Sequence, residues 1–529
     1  MSGLEFFDAN CTVGRHRTWQ AGEPCSAQDL LAEMDHFGIA EALVLDSLSR
    51  EYHPLDGNAR VLEAAAASPR LHPAWAALPP GVAEDQPEPE EFLRQMRRHR
   101  VGAVFFLPGV YRLSLSDWCL DALLEPLAAA RVPVFLVPND IGSNGPDQTD
   151  WEATVKLCRR WPALPVIVSE YRIRRSQRMA YRALEACPNL RLELSGYWLY
   201  RGIEYLTRRF GAERLIFGSN WPAFGQGQTL AFLAAAEISG EDKRKIAGGN
   251  LRALLRWCEP AHPEVPERPP ADEFVRFGRT GVRPAGMRFW DCHGHLGGRF
   301  SHYHIPGGSL EQTVAEMERL GVEKACVFGF SGVTSDERHG NDAVAEAVRR
   351  FPDRFVGFTT LNPHRGPDEM LRELERGAKL GLRGIKLIPA YQGYPAEGPN
   401  LDVACRWAHE RRQIILNHDW GSAAQMERFL TACPNACFLT GHTTTAYAEL
   451  MKRHANLYVC SCPLLAPRAC EKTVEAIGAG RLLFGSDLQD LPIAWGLGPI
   501  LFARLGEEDK RLVLGGNLER ILSQYGLAP

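Results

Sequence analysis

Apolar residues recur along this chain in two rhythms. Short apolar or β-branched runs alternate with longer segments whose apolar positions fall three and four apart, the spacing of one face of a helix. In the second half the short runs are Arg288–Trp290, Lys324–Phe328, Phe355–Thr360, Gly384–Ile388, Ile414–Asn417, Cys437–Thr440, Leu457–Cys460 and Leu482–Phe484. Eight strands with intervening helices over about 240 residues predict an α/β fold, a parallel (β/α)8 barrel of TIM type, and not an open doubly wound sheet. No glycine fingerprint for a dinucleotide accompanies the pattern.

The first half repeats the second. The stretch Asp35–Ala42 (DHFGIAEA) matches Glu318–Ala325 (ERLGVEKA), and Gly57–Ala64 (GNARVLEA) matches Gly340–Ala347 (GNDAVAEA), both 283 residues apart. Nearer the ends, Leu215–Asn220 (LIFGSN) matches Leu482–Asp487 (LLFGSD) and Gly248–Arg252 (GGNLR) matches Gly515–Glu519 (GGNLE), now 267 apart. The shrinking displacement places insertions in the first copy. Collinear matches of this kind predict two tandem barrels, residues 1–258 and 287–529. Between them, residues 259–286 hold Pro260, Pro263, Pro266, Pro269, Pro270 and Pro284, a composition that resists helix and central strand and reads as a linker.

Size agrees with that division, since 529 residues exceed what one core serves. With 45% hydrophobic and 23% charged residues and no apolar run long enough to span a bilayer, the chain reads as globular, without membrane insertion. A net charge of −4 with dispersed Lys and Arg argues against nucleic acid as a partner. Met1–Cys11 lacks a basic segment followed by an apolar one, so a cytoplasmic location is expected. The 14 cysteines include no CxxC pair, which points to free, buried thiols; Cys460 and Cys462, at i and i+2 of a strand, face one side.

Catalytic groups of such barrels lie at the C-terminal ends of strands. In the second copy strand 1 ends in Asp291, Cys292, His293, Gly294 and His295, and the two imidazoles at i and i+2 can share one metal. Strand 5 ends in Asn417 and His418, strand 6 in Gly441 and His442, and strand 8 in Gly485, Ser486 and Asp487. Singly, His418 or His442 reads equally well as a satisfied core histidine and Asp487 as a helix N-cap. Together they read as a divalent-metal site. The first copy places Asn10, Thr12, Asn139, Glu170 and Asn220 where the second has His293, His295, His418, His442 and Asp487. The frame around them survives, since Asp8 matches Asp291, Asp140 matches Asp419, and Gly218–Ser219 matches Gly485–Ser486. Selective loss at these five places argues that they act as a group and that the first copy binds no catalytic metal.

The motifs Asp291-x-His293-x-His295, Gly384-Ile-Lys386-Leu-Ile-Pro389, Asn417-His418, Gly441-His442 and Leu483-Phe-Gly-Ser-Asp487 resemble the amidohydrolase-related superfamily. The resemblance is to its branch of aminocarboxymuconate semialdehyde decarboxylase and metal-dependent lactonases and hydrolases. It implies that His293, His295, His418 and Asp487 hold one ion, zinc first and manganese second, with His442 and Asp487 as catalytic groups. Two departures stand out. Ile388 replaces a common histidine before the proline, and Tyr458-Val-Cys460-Ser-Cys462 replaces Tyr-x-Asp-x-Ser.

Lys386, whose counterpart in the first copy is Phe105, is a candidate for binding a substrate carboxylate; carbamylation is the lesser alternative. Tyr391, Gln392 and Tyr394 on the same loop are candidates by proximity, and Asp490 for capping the next helix. His302, His304 and the first copy's Arg15, His16, Arg172, Arg174 and Arg175 read as solvated rim. The expected reaction is metal-dependent hydrolysis of a small ester, lactone or amide, with non-oxidative decarboxylation as the alternative and a noncatalytic binding or scaffold protein as the third reading. Expected partners are a small-molecule substrate and the chain's own second barrel, with further self-association left open.

Overall fold

The structure is a computed structural model that describes residues 4–138, 148–261, 263–264, 268–301 and 303–527. Asn139, Asp140 and His302 lie outside the described residues. Contacts divide the chain into two compact units, residues 1–198, 202–281 and 302–304 in the first, and 199–201, 282–301 and 305–529 in the second.

The first unit contains β1 (Phe6–Val13), β2 (Ile39–Asp46), β3 (Leu71–Pro73), β4 (Trp75–Ala76), β5 (Val104–Phe106), β6 (Val134–Leu136), β7 (Val166–Val168), β8 (Leu190–Glu193) and β9 (Leu215–Ile216). All pairs are parallel and follow chain order. β3 and β4 flank Ala74 and act as one strand: the Ala74 N–H donates to Val44 O at 2.8 Å and the Trp75 N–H to Ala103 O at 3.1 Å. The ring closes where Ala9 N–H donates to Phe217 O (3.0 Å) and Thr12 N–H to Trp221 O (2.8 Å). Residues two apart on successive strands, Phe7 and Ala9, Leu43 and Leu45, Ala103 and Phe105, Phe135 and Val137, fill one buried cluster, as the period of two requires.

The second unit contains β10 (Phe289–Leu296), β11 (Val322–Gly329), β12 (Phe355–Thr360), β13 (Gly384–Leu387), β14 (Ile414–Asn417), β15 (Cys437–Thr440), β16 (Leu457–Cys460) and β17 (Leu482–Leu483). They form one parallel sheet in that order, closed by Cys292 N–H to Phe484 O (2.8 Å), Asp487 N–H to His293 O (2.9 Å) and His295 N–H to Leu488 O (2.9 Å). The expected strand ends at Trp290; β10 instead runs six residues further, so both histidines sit on the strand.

The motifs shared by the two halves do the same structural work in each. Asn58 mimics a strand edge for Ala76, its amide donating to the carbonyl (2.9 Å) and accepting from the N–H (2.9 Å); Asn341 does so for Thr360 (3.0 and 2.8 Å). Asn250 donates to Ala212 O and Leu215 O, both at 2.8 Å, and Asn517 to Ala479 O and Leu482 O at 2.8 and 3.0 Å. A single π turn precedes each of these asparagines, Lys245–Gly249 and Leu512–Gly516.

The stretch expected as linker is not wholly irregular. Glu273–Thr280 is a helix grouped with the first unit, capped by Asp272, which accepts from Val275 N–H at 2.8 Å, and stopped by Gly281 at φ +68°. Phe274, Val275 and Phe277 are buried. All the prolines of this stretch except Pro284 lie before residue 271, and the helix beyond them has its own cap, apolar face and glycine stop. Among the described residues no helix is long and apolar enough to cross a membrane.

Candidate metal centre

The backbone first brings strand 1 against strand 8 of the second unit. Asp291 is fully buried and accepts from His293 N–H (3.0 Å), Ser486 N–H (3.0 Å) and the Ser486 hydroxyl. Burial pushes its carboxyl up to about 7 against those donors. Asp8 makes the same clasp with Ser219 in the first unit, so the clasp belongs to the fold and not to the metal. One residue past Ser486, Asp487 turns into the left-handed region (φ +60°), as does its counterpart Asn220 (φ +59°). Asp and Asn tolerate that conformation better than most side chains.

The turn carries the Asp487 carboxylate to the two strand-1 imidazoles. Its Oδ1 lies 3.0 Å from His295 Nε2 and 3.5 Å from His293 Nε2. Ligand atoms of His293, His295 and Asp487 all fall within 4.8 Å of one another, the spacing of donors around one ion. His295 is held between Phe330, stacked at 4.6 Å and 9°, and the edge of Phe328. His293 meets Phe328, His418 and, through Nδ1, the Cys460 thiol at 3.8 Å.

His418 stands beside this group, its ring 5.3 Å from His293 and 4.3 Å from His442. It is not within the tight three-residue set. His442 is half-buried, with its ring against that of His418. The four imidazoles and Asp487 thus gather at the C-terminal ends of strands 1, 5, 6 and 8.

Buried nitrogen atoms without a hydrogen-bond partner among the described residues test whether an ion fits. His293 Nε2, His418 Nε2 and Lys386 Nζ are such atoms, and leaving each unsatisfied costs about 1–3 kcal/mol. Burial, then the Lys386 ammonium, holds the His293 and His418 imidazoles well below their ordinary range. They are therefore neutral with free lone pairs, the state a metal requires. The donor set fits a divalent ion.

Lys386, on β13, is fully buried with Nζ 3.9 Å above the Phe328 ring. Burial drops its amine to about 7 although Asp487 acts in the opposite sense. Tyr391 is 63% exposed, with its ring 5.7 Å from His418. Its loop neighbours are committed elsewhere: Gln392 donates to Leu361 O at 3.0 Å, and the Tyr394 hydroxyl accepts from Asn400 N–H at 3.1 Å. The helix after Asp490, Ile493–Leu501, begins at Pro492 with no side-chain cap, so the expected capping role is absent. His304 donates its N–H to Gln177 Oε1 at 2.7 Å and takes no part in the metal-type group.

In the first unit two of the corresponding positions, Asn10 and Glu170, carry hydrogen bonds in place of ligands. Glu170, in the place of His442, accepts from Thr149 N–H (3.1 Å), Thr149 Oγ1 (2.5 Å) and Ser176 Oγ (3.0 Å). His16 Nδ1 lies 3.4 Å from a Glu51 carboxylate oxygen, and the Arg172 guanidinium lies over the rings of Tyr171 and Trp198, so both side chains have partners within the first unit. Spacing named Cys460 only as one of two thiols facing one side of a strand, without its partner, and missed Arg50. Cys460 faces the second nitrogen of a candidate ligand, and Arg50 is buried where the second copy has Val333. The second was legible in the repeat, as a charged residue replacing an apolar one.

The chain is similar to several known proteins. A curated relative, L-fucono-1,5-lactonase of Burkholderia ambifaria, is 27% identical over 172 residues, 29% of this chain. The chain spans about half the length of that relative, 51%. Among solved structures, an uncharacterised TIM-barrel protein of Bordetella bronchiseptica matches 48% of this chain and 99% of its own, with 21% identity and a TM-score of 0.39. The 5-carboxyvanillate decarboxylase of Sphingomonas paucimobilis matches 45% of this chain and 99% of its own, with 17% identity and a TM-score of 0.35. The amidohydrolase family pattern matches residues 21–257 and, again, residues 290–523. Both halves of this chain therefore belong to the amidohydrolase family.

Proposed function

We propose that the second unit is a metal-dependent hydrolase of a small ester, lactone or amide, and that the first unit binds no catalytic metal. The observation that carries this reading is the convergence of His293 Nε2, His295 Nε2 and Asp487 Oδ1 beside the orphaned Nε2 of His418. Zinc suits three imidazoles and a carboxylate, and manganese is the second choice. Such an ion polarises a carbonyl and lowers the pKa of a water from about 15.7 to about 7.

The chain's own residues would do the rest. Asp487, at the edge of the group, takes the proton of the attacking water. His442, one ring away from His418, hands a proton to the departing oxygen or nitrogen. Lys386, buried among these groups, binds a carboxylate or hydroxyl of the substrate, and exposed Tyr391 covers it from the solvent side. The lactonase named among the relatives supports a cyclic ester as the first substrate class to try.

Metal content of the purified chain tests the reading, measured beside the double variant His293→Ala, His418→Ala. About one ion per chain, lost in the variant, supports it and justifies panels of lactones, esters and amides. Carbon dioxide released without water consumption would reassign the reaction to decarboxylation. No ion after reconstitution, with no turnover, would make the chain a binding protein.

A further inference from the structure

In the first unit, a fixed charge stands beside the position that corresponds to one candidate ligand. Arg50, on the short helix Ser47–Glu51 after β2, is only 2% exposed. Its Nη2 donates to Asn10 Oδ1 at 2.7 Å, and its guanidinium carbon lies 5.9 Å from the centroid of Phe105. Asn10 stands at the position of the candidate ligand His293 and Phe105 at that of Lys386. The guanidinium thus sits between the positions that, in the second unit, hold a ligand imidazole and the buried amine.

The partners of Asn10 complete the arrangement. Its amide donates to Glu193 Oε2 at 3.2 Å and to Ser169 Oγ at 3.1 Å. Glu193, fully buried, takes the position of Cys460 and also accepts from Ser169 Oγ (2.6 Å), Ser195 Oγ (2.7 Å) and Ser195 N–H (2.5 Å). Four positions therefore differ together between the units: Asn10 for His293, Phe105 for Lys386, Glu193 for Cys460, and Arg50 for the 1%-exposed Val333. A ligand set that merely decayed would leave a gap or an apolar plug. Here a cation that cannot lose its proton is linked through one amide to a buried carboxylate.

We propose that the Arg50 guanidinium is the resident cation of the first unit, standing where the second unit holds its metal. Glu193, reached through Asn10, is its anionic counterpart, and the guanidinium excludes a metal ion from that place. The comparison with a metal rests on the function proposed for the second unit; the Arg50–Asn10–Glu193 relay does not.

The experiment has two arms on the full chain. The first rebuilds ligands with Asn10→His, Thr12→His and Asn220→Asp, with and without Arg50→Val, and measures metal per chain by elemental analysis. Occupancy beyond that of wild type only when Arg50 is replaced supports the proposal, and the same gain with Arg50 in place overturns it. The second arm is a double-mutant cycle of Arg50→Met and Glu193→Gln with thermal unfolding as the readout, which decides the matter if neither rebuilt form takes extra metal. Each single variant is expected to lower the midpoint by about 6–10 °C, and the double variant no further than the worse single. Additive losses, or singles that melt with wild type, overturn the relay. A wild type without metal would sink the reading of the second unit and leave this arm intact.

Discussion

Replacing Lys386 by methionine separates what this lysine costs the fold from what it does for the substrate. Its amine is fully buried over Phe328, without a hydrogen bond among the described residues, and lies at about 7 against an ordinary 10.5. A depression of about 3.5 units corresponds to about 5 kcal/mol. Attraction between the ammonium and the Phe328 ring offsets part of the expected gain on replacement, by about 1–2 kcal/mol. Between pH 7 and 10.5 the unfolded wild type binds one proton more than the folded form. Wild-type stability therefore rises by about 1.4 kcal/mol per pH unit across that window through this group, and the variant's does not.

The metal-stripped Lys386→Met protein should accordingly be about 3–4 kcal/mol more stable than stripped wild type at pH 6. The difference should shrink steadily and vanish near pH 10.5. Urea unfolding of both proteins at pH 6, 7.5, 9 and 10 reads it directly. If the amine also binds substrate, the same variant should lose about 10–100-fold in kcat/KM, the worth of one charge-assisted hydrogen bond. A variant less stable than wild type at pH 6, or a difference that does not change with pH, would refute the reading that burial depresses this amine.

Three further outcomes are expected from particular contacts. Cys460→Asp puts a carboxylate beside His293 Nδ1, now 3.8 Å from a thiol. It should tighten metal binding by about 10–100-fold, read by competition with a chromogenic chelator, because ligand imidazoles are held and made more basic by such partners. His442→Gln should keep the wild-type metal content while turnover falls by about 100-fold or more, since the ring lies beside His418 and outside the tight ligand group; equal loss of metal would make it a ligand. Asn250→Ala and Asn517→Ala each remove two hydrogen bonds to strand-8 and turn carbonyls at 2.8–3.0 Å. Each should cost about 2–4 kcal/mol in chemical denaturation, and a large cost in one copy alone would break the equivalence of the repeats.

Much of this protein is written locally. Period-two apolar runs between helical segments specify parallel strands, and the matched Gly-Asn pairs specify two barrels, because each copy needs the same amide at the edge of its third strand and the same asparagine after its π turn. The histidine pair at 293 and 295 and the aspartate after Gly485–Ser486 are equally visible, since ligand types at strand ends have few other uses. The helix at Glu273–Thr280 was also written there, in its cap and its glycine stop, but the neighbouring prolines obscured it.

Tertiary structure decided what depends on side chains meeting across the ring. It separates His293, His295 and Asp487, within 4.8 Å of one another, from His418 and His442 alongside. It commits Gln392 and Tyr394 to their own loop. It also brings Arg50 to Asn10, 40 residues away. Spacing along a strand determines which side a residue faces. Distance across a closed barrel depends on register, on where each strand ends and on a left-handed turn at Asp487, which are properties of the whole ring and not of any segment.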